Sequence, residues 1–174
     1  MKRLWLLRHA KSSWDDPSLA DDERPLTSRG LRATDLLCQH VRAAGIEPAL
    51  VLCSPAERTL ATWERVAGEL LDRVPIDIDP ALYGATAHDL VDRLRQLADD
   101  VPSVLVVGHN PALEQLVLLL VGHGDRPLRD LLATKFPTGA LATLDAPVER
   151  WAELAWASCA LVDFVRPRDL EART

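Results

Sequence analysis

Leu4-Trp5-Leu6-Leu7-Arg8-His9 begins as an apolar run and ends in a guanidinium beside an imidazole. An apolar residue at every position predicts a strand, over about residues 3–8, that is covered on both faces. Such a strand has no use for two ionisable side chains at its end unless they do chemistry there. The same change of character occurs twice more. Leu50-Val51-Leu52-Cys53 leads into Ser54-Pro55-Ala56-Glu57-Arg58, and Val104-Leu105-Val106-Val107 leads into Gly108-His109-Asn110-Pro111.

Helical periodicity fills the intervals. A helix is predicted from Ser28 to Ala44, capped by Thr27 or Ser28 and ended by Gly45. Ser54 to Glu57 reads as a capping box with proline at the first helical position, followed by a helix carrying Leu60, Trp63, Ala67 and Leu70. Ile76–Ile78 reads as a short strand, and Thr86 with Asp89 as the start of a helix bearing Leu90, Leu94 and Leu97. Asn110-Pro111 reads as a cap and first helical residue ahead of Leu113, Leu116, Val117, Leu120 and Val121. Residues 122–139 are expected to be mostly loop with one turn near Leu128, and 141–144 and 151–165 to be closing strands. Strands alternating with helices predict an α/β three-layer sandwich with a mostly parallel central sheet, as one domain over residues 1–174. Ligands of such sheets bind beyond the carboxyl ends of the strands, where Arg8, His9, Arg58 and His109 all fall.

Composition narrows the class. An apolar share of 48% suffices for a core, and a net charge of -6 argues against a nucleic-acid binder. Cys38, Cys53 and Cys159 form no CxxC pair, so free thiols in a reducing, cytoplasmic setting are expected. No stretch reaches membrane-spanning length. Positive potential should therefore be local, as a pocket for a small anion requires.

In that pocket His9 is the candidate nucleophile, because a neutral imidazole nitrogen can attack phosphorus without a separate base. Arg8 and Arg58 are candidate clamps on phosphoryl oxygens, with Lys11 and Ser12 as further binding residues. His109, ahead of a helix N-terminus, is the second imidazole, read as a protonated donor. His9 and His109 lack a third ligand at metal spacing, and neighbouring arginines repel a cation, so no metal or other cofactor is expected. Trp14, in the long polar loop of residues 10–27, is placed at the substrate entrance.

Leu7-Arg8-His9-Ala10-Lys11-Ser12-Ser13-Trp14, Arg24-Pro25-Leu26-Thr27-Ser28-Arg29-Gly30, Ser54-Pro55-Ala56-Glu57-Arg58-Thr59 and Gly108-His109-Asn110-Pro111 together resemble the histidine phosphatase superfamily, in its SixA-like phosphohistidine phosphatase branch. The resemblance spans roughly residues 3–145 and implies a phosphoglycerate mutase-like fold and a metal-independent reaction. It implies that His9 is phosphorylated while Arg8, Arg58 and His109 complete the phosphate pocket. Position 10 is Ala, where larger relatives usually have Gly. The insertion that carries an acidic proton donor in those relatives is also missing.

Asp15, Asp16, Asp21, Asp22, Glu23 and Glu57 are candidate donors, and each reads equally as a solvated surface carboxylate. The gap bears on the substrate. An alcohol needs a proton to leave, whereas imidazole, with a conjugate-acid pKa of ~6.5, needs little help. The expected partner is therefore a phosphorylated protein bearing phosphohistidine. A general small-molecule phosphomonoesterase and a non-catalytic phosphate-binding module are the alternatives.

Overall fold

A computed structural model describes residues 1–173. Its centre is a seven-stranded sheet with strands β1 (Lys2–Arg8), β2 (Leu50–Cys53), β3 (Ile76–Ile78), β4 (Ser103–Gly108), β5 (Val121–Gly124), β6 (Leu141–Ala146) and β7 (Cys159–Val165). Their order across the sheet is β3-β2-β4-β1-β6-β7-β5, and β6 alone of these runs against the rest. The layers follow from the two-residue period of a strand. Leu4, Leu6, Val104 and Val106 face one core with α3 (Ala87–Arg95) and α4 (Ala112–Leu120). Trp5, Leu7, Leu105 and Val107 face a second core with α1 (Ser28–Ala43), α2 (Glu57–Ala67) and α6 (Pro167–Glu171). This is the three-layer sandwich with a mostly parallel sheet that the alternation predicts, in the phosphoglycerate mutase-like arrangement. No helix among the described residues is long and apolar enough to cross a membrane.

Several elements differ from expectation. Residues 121–134 hold β5 and α5 (Arg126–Thr134) rather than loop, and Val121 belongs to the strand instead of extending α4. Gly122 explains why β5 escapes a propensity reading: a Cβ there would lie 1.9 Å from the Ala157 carbonyl oxygen, so close approach, not β-branching, selects its residues. Of residues 151–165 only Cys159–Val165 is strand; Trp151–Glu153 is a 3-10 turn that buries the Trp151 ring.

Thr27 and Thr86 cap α1 and α3 as expected, but the other two predicted caps fail. The residue before α2 is Ala56, with no side-chain cap, and the residue before α4 is Pro111. Ser54 and Asn110 instead bond elsewhere: the Ser54 hydroxyl to the His109 ring, and the Asn110 amide to the Phe136 carbonyl and the Glu114 carboxylate.

Candidate active site

Register decides the site. Arg8 pairs with Gly108 across the parallel β1–β4 ladder, so His9 and His109 each stand one residue past a matched pair. Their ring centroids are 5.4 Å apart. The residue after β2 joins them, for Ser54 N–H donates to the Val107 carbonyl and Ser54 Oγ lies 2.7 Å from His109 Nε2. Around these residues lies a hollow of about 280 Å3 lined by Arg8, His9, Lys11, Ser12, Trp14, Arg24, Arg58, His109, Asn110 and Thr138. It brings together the four residues singled out for the chemistry, the two further binding residues and the loop tryptophan. Four cations and no carboxylate line it, within a chain of net charge -6.

His9 is 7% exposed, and its Nδ1 is 2.7 Å from the Ala10 carbonyl oxygen. A carbonyl only accepts, so Nδ1 carries the hydrogen and Nε2 keeps its lone pair. Burial, followed by the charges of His109, Arg58 and Arg8, pushes the His9 pKa down to about 3, against the opposing Ala10 hydrogen bond. The ring is neutral at pH 7 and its free nitrogen is nucleophilic. The turn behind it is tied down at three points. Gly139 N–H donates to the carbonyls of Arg8 and His9, His9 N–H donates to Gly108, and Ala10 N–H donates to Thr62 Oγ1 at 2.9 Å.

Arg8 donates from Nη1 to the Phe136 carbonyl at 3.0 Å. Arg58, 6% exposed in the first turn of α2, donates from Nη1 to the Asp21 carbonyl at 2.6 Å and from Nη2 to Asp21 Oδ2 at 3.0 Å. Arg8 Nε, Arg58 Nε and His109 Nδ1 are buried with no hydrogen-bond partner. Asn110 Oδ1, an acceptor of the same lining, is also unpartnered, so it is the four cations of the hollow that suit it to an oxyanion.

The reading of His109 as a protonated donor needs correction. Burial and the charges of Arg58, Arg8 and Arg24 push its pKa down to about 4, with Asp21 opposing, so without an anion beside it the ring is neutral. Arginines close enough to grip a phosphoryl group disfavour a third cation among them.

The candidate acids lie apart from this hollow. Asp15, Asp16 and Glu57 are exposed, and Asp16 is held below its ordinary pKa by the Ser18 hydroxyl and amide. Asp21 approaches closest through Arg58, but the Tyr83 hydroxyl, then Arg58 and Arg24, pull its pKa down to about 2. It stays ionised and has no proton to give.

Arg24 and Thr138 are lining residues that sequence reasoning did not single out, and Arg24 is the charged one. It is buried, donates from Nη1 to Ser12 Oγ at 3.0 Å and pairs with Asp21 at 3.0 Å. The Trp14 ring stacks on its guanidinium with 3.5 Å from Cζ to the ring centroid. The 10–27 loop is folded back on itself by pairing of Ser12 with Leu26, which carries Arg24 to the hollow. Lys135 is exposed and lies outside the lining.

The sequence pattern of the histidine phosphatase superfamily (branch 1) matches residues 4–85. An uncharacterized protein of Mycobacterium tuberculosis is 34% identical over 93% of this chain and 100% of its own length. Among solved structures, a candidate phosphohistidine phosphatase SixA from Nakamurella multipartitia superposes with a TM-score of 0.82 at 28% identity, covering 95% of this chain and 96% of that one. The protein histidine phosphatase SixA complexed with tungstate gives a TM-score of 0.75 at 25% identity, over 97% and 99% of the two chains.

This chain belongs to the histidine phosphatase superfamily. It is a phosphatase of the metal-independent type, and its near structural neighbours are SixA-like. Tungstate is a tetrahedral oxyanion like phosphate, the class of ligand that the cationic hollow of this phosphatase suits.

Proposed function

We propose that this histidine phosphatase removes phosphate from phosphohistidine in a protein, through a phosphoryl group carried on His9. In the first step the His9 Nε2 lone pair forms a bond to phosphorus. The P–N bond of the substrate breaks, and its electron pair returns to the departing imidazole. Water then attacks the phosphoryl group on His9, orthophosphate leaves, and the imidazole recovers its lone pair. Arg8, Arg24 and Arg58 hold charge on the equatorial oxygens throughout, with Lys11 and Ser12 at the rim.

The observation that carries this reading is the absence of a protonated carboxyl group at the hollow among the described residues. No acid lines it, and the neighbouring Asp21 is ionised. Such a site suits a leaving group that departs without a dedicated acid, and imidazole is one. The SixA neighbour bears the name protein histidine phosphatase, in keeping with a protein substrate.

The test compares phosphate release from a phosphohistidine-containing protein with release from an unactivated sugar phosphate, in the parent and in His9→Ala. The expected result is a strong preference for phosphohistidine and an acid-labile phosphoryl group trapped on the parent but not on His9→Ala. Equal kcat/KM on the two substrates would place the protein among general phosphomonoesterases. Turnover by His9→Ala would remove the intermediate.

A further inference from the structure

Ser54 is fully buried just past the end of β2, and each of its polar atoms is engaged. Its N–H donates to the Val107 carbonyl, and its own carbonyl accepts from the Thr59 hydroxyl at 2.8 Å. Its Oγ lies 2.7 Å from His109 Nε2 and accepts from Ala56 N–H at 3.5 Å. The phosphoryl steps proposed above make no use of this hydroxyl. We infer that Ser54 is a positioning residue: it donates its hydroxyl hydrogen to His109 Nε2, which leaves the ring's own hydrogen on Nδ1 and makes an uncharged imidazole a donor to the phosphoryl oxygens. The inference rests on phosphoryl transfer in this hollow and not on which leaving group departs.

The available hydrogens fix the direction of that bond. A serine hydroxyl has one hydrogen to give and two lone pairs to receive with. Ala56 N–H can only donate, so it takes a lone pair. Among the described residues, His109 Nε2 is the acceptor within reach of the hydroxyl hydrogen. Were Nε2 to carry the ring's hydrogen, the hydroxyl would receive twice and its own hydrogen would be buried without an acceptor. With the hydroxyl donating, Ser54, Ala56 and Nε2 are all satisfied. An imidazolium, with hydrogen on both nitrogens, is opposed by burial and by Arg58, Arg8 and Arg24, which hold the His109 pKa down to about 4 against Asp21.

Nδ1 is then the free polar atom of a ring that lines the hollow, buried and with no protein partner. Asn110 Oδ1, on the next residue, is unpartnered too, so the two do not satisfy each other. A lone pair on Nδ1 would repel an oxyanion, whereas an N–H attracts one. His9 reaches the same tautomer by other means and to the opposite effect. The Ala10 carbonyl takes its Nδ1–H and leaves the Nε2 lone pair for phosphorus. Ser54 occupies the Nε2 lone pair of His109 and leaves Nδ1–H for oxygen. Two neutral rings with centroids 5.4 Å apart therefore present one nucleophile and one donor, and neither adds charge to a hollow already lined by four cations.

Nitrogen-15 NMR of the histidine-labelled protein at pH 7, free and saturated with tungstate, tests this. The His109 signals are those missing from His109→Asn. The expected result is a protonated Nδ1 and an unprotonated Nε2 in both states. Ser54→Ala frees the ring to carry its hydrogen on either nitrogen. It is expected to lose the pattern, to raise the tungstate inhibition constant about tenfold, the worth of one ordinary hydrogen bond, and to lower kcat/KM by about the same factor. Ser54→Thr keeps the hydroxyl and is expected to keep the pattern, with both constants within about threefold of the parent. The parent spectrum decides the tautomer even if neither variant folds.

A hydrogen on Nε2 or an imidazolium in the parent overturns the inference, as does a folded Ser54→Ala that keeps the parental tautomer. Each of these leaves the proposed function standing wherever the parent hydrolyses phosphohistidine. A parent that neither binds tungstate nor releases phosphate overturns the inference and the proposed function together.

Discussion

Thr62→Val is the substitution that most directly probes how the fold holds His9, the proposed nucleophile. Thr62 is fully buried in α2, one turn after Arg58. Its hydroxyl donates to the Arg58 carbonyl at 2.6 Å and accepts from Ala10 N–H at 2.9 Å, so one oxygen joins the turn after His9 to the turn that carries Arg58. Valine keeps the volume and branching, which removes any cavity contribution. The Arg58 carbonyl retains the ordinary helical bond from the Thr62 position, but Ala10 N–H is left buried with no acceptor.

An unsatisfied buried donor costs about 1–3 kcal/mol, against the total of about 5–15 kcal/mol typical of folded domains. The variant should therefore fold, with a lower urea midpoint and an unchanged m value. Activity should fall further than stability suggests, by about 10- to 100-fold in kcat/KM, because displacement of reacting groups by even ~1 Å is costly. Equilibrium urea unfolding and steady-state kinetics on one preparation separate the two effects. A variant with parental kcat/KM despite the loss of stability would refute the idea that this bond positions His9 and Arg58.

The buried neutral histidines set an acid limit on stability. His9 titrates near 3 and His109 near 4 in the folded chain but near ~6.5 when unfolded, so the unfolded state binds more protons between those values. Stability is complete above pH ~6.5 and falls as the pH drops toward 4, by up to about 1.4 kcal/mol per pH unit for each ring. Urea unfolding at pH 7 and 5 should show that loss, and His9→Asn should flatten the slope; identical stability at the two pH values would count against both assignments. Gly30→Ala should loosen the loop that delivers Arg24. A Cβ there would lie 2.3 Å from the Lys11 carbonyl oxygen, and backbone cannot swing aside, so a loss of about 1–3 kcal/mol with reduced oxyanion affinity is expected. Thermal unfolding together with tungstate inhibition measures both.

Residues that act through their own neighbours in sequence were legible, and residues brought in from a distance were not. The ends of β1, β2 and β4 announced themselves because each apolar run gives way at once to ionisable side chains, and parallel pairing of Arg8 with Gly108 does the rest. Arg24 gave no such signal. It lies in a polar loop, follows two aspartates and a glutamate, and reads locally as a solvated ion pair. Its role depends on contacts made elsewhere. Gly30 lets α1 press on the Lys11 backbone, Thr27 N–H donates to the Lys11 carbonyl, and the Ser12–Leu26 bridge then closes the loop. The Thr27-Ser28-Arg29-Gly30 segment therefore belongs to the site although none of its side chains lines the hollow.

The caps were misread for a related reason. Serine and asparagine are strong local signals for a helix start. Here Ser54 is engaged by His109, and Asn110 by Phe136 and Glu114, so tertiary bonds took the groups that propensity assigns to the helix. Both departures fall just past the carboxyl ends of β2 and β4. A local rule broken there marks a polar side chain recruited to hold an imidazole or a backbone carbonyl beside the arginines, and the residues that position the site can be read from those departures as directly as from the chemistry of the residues they support.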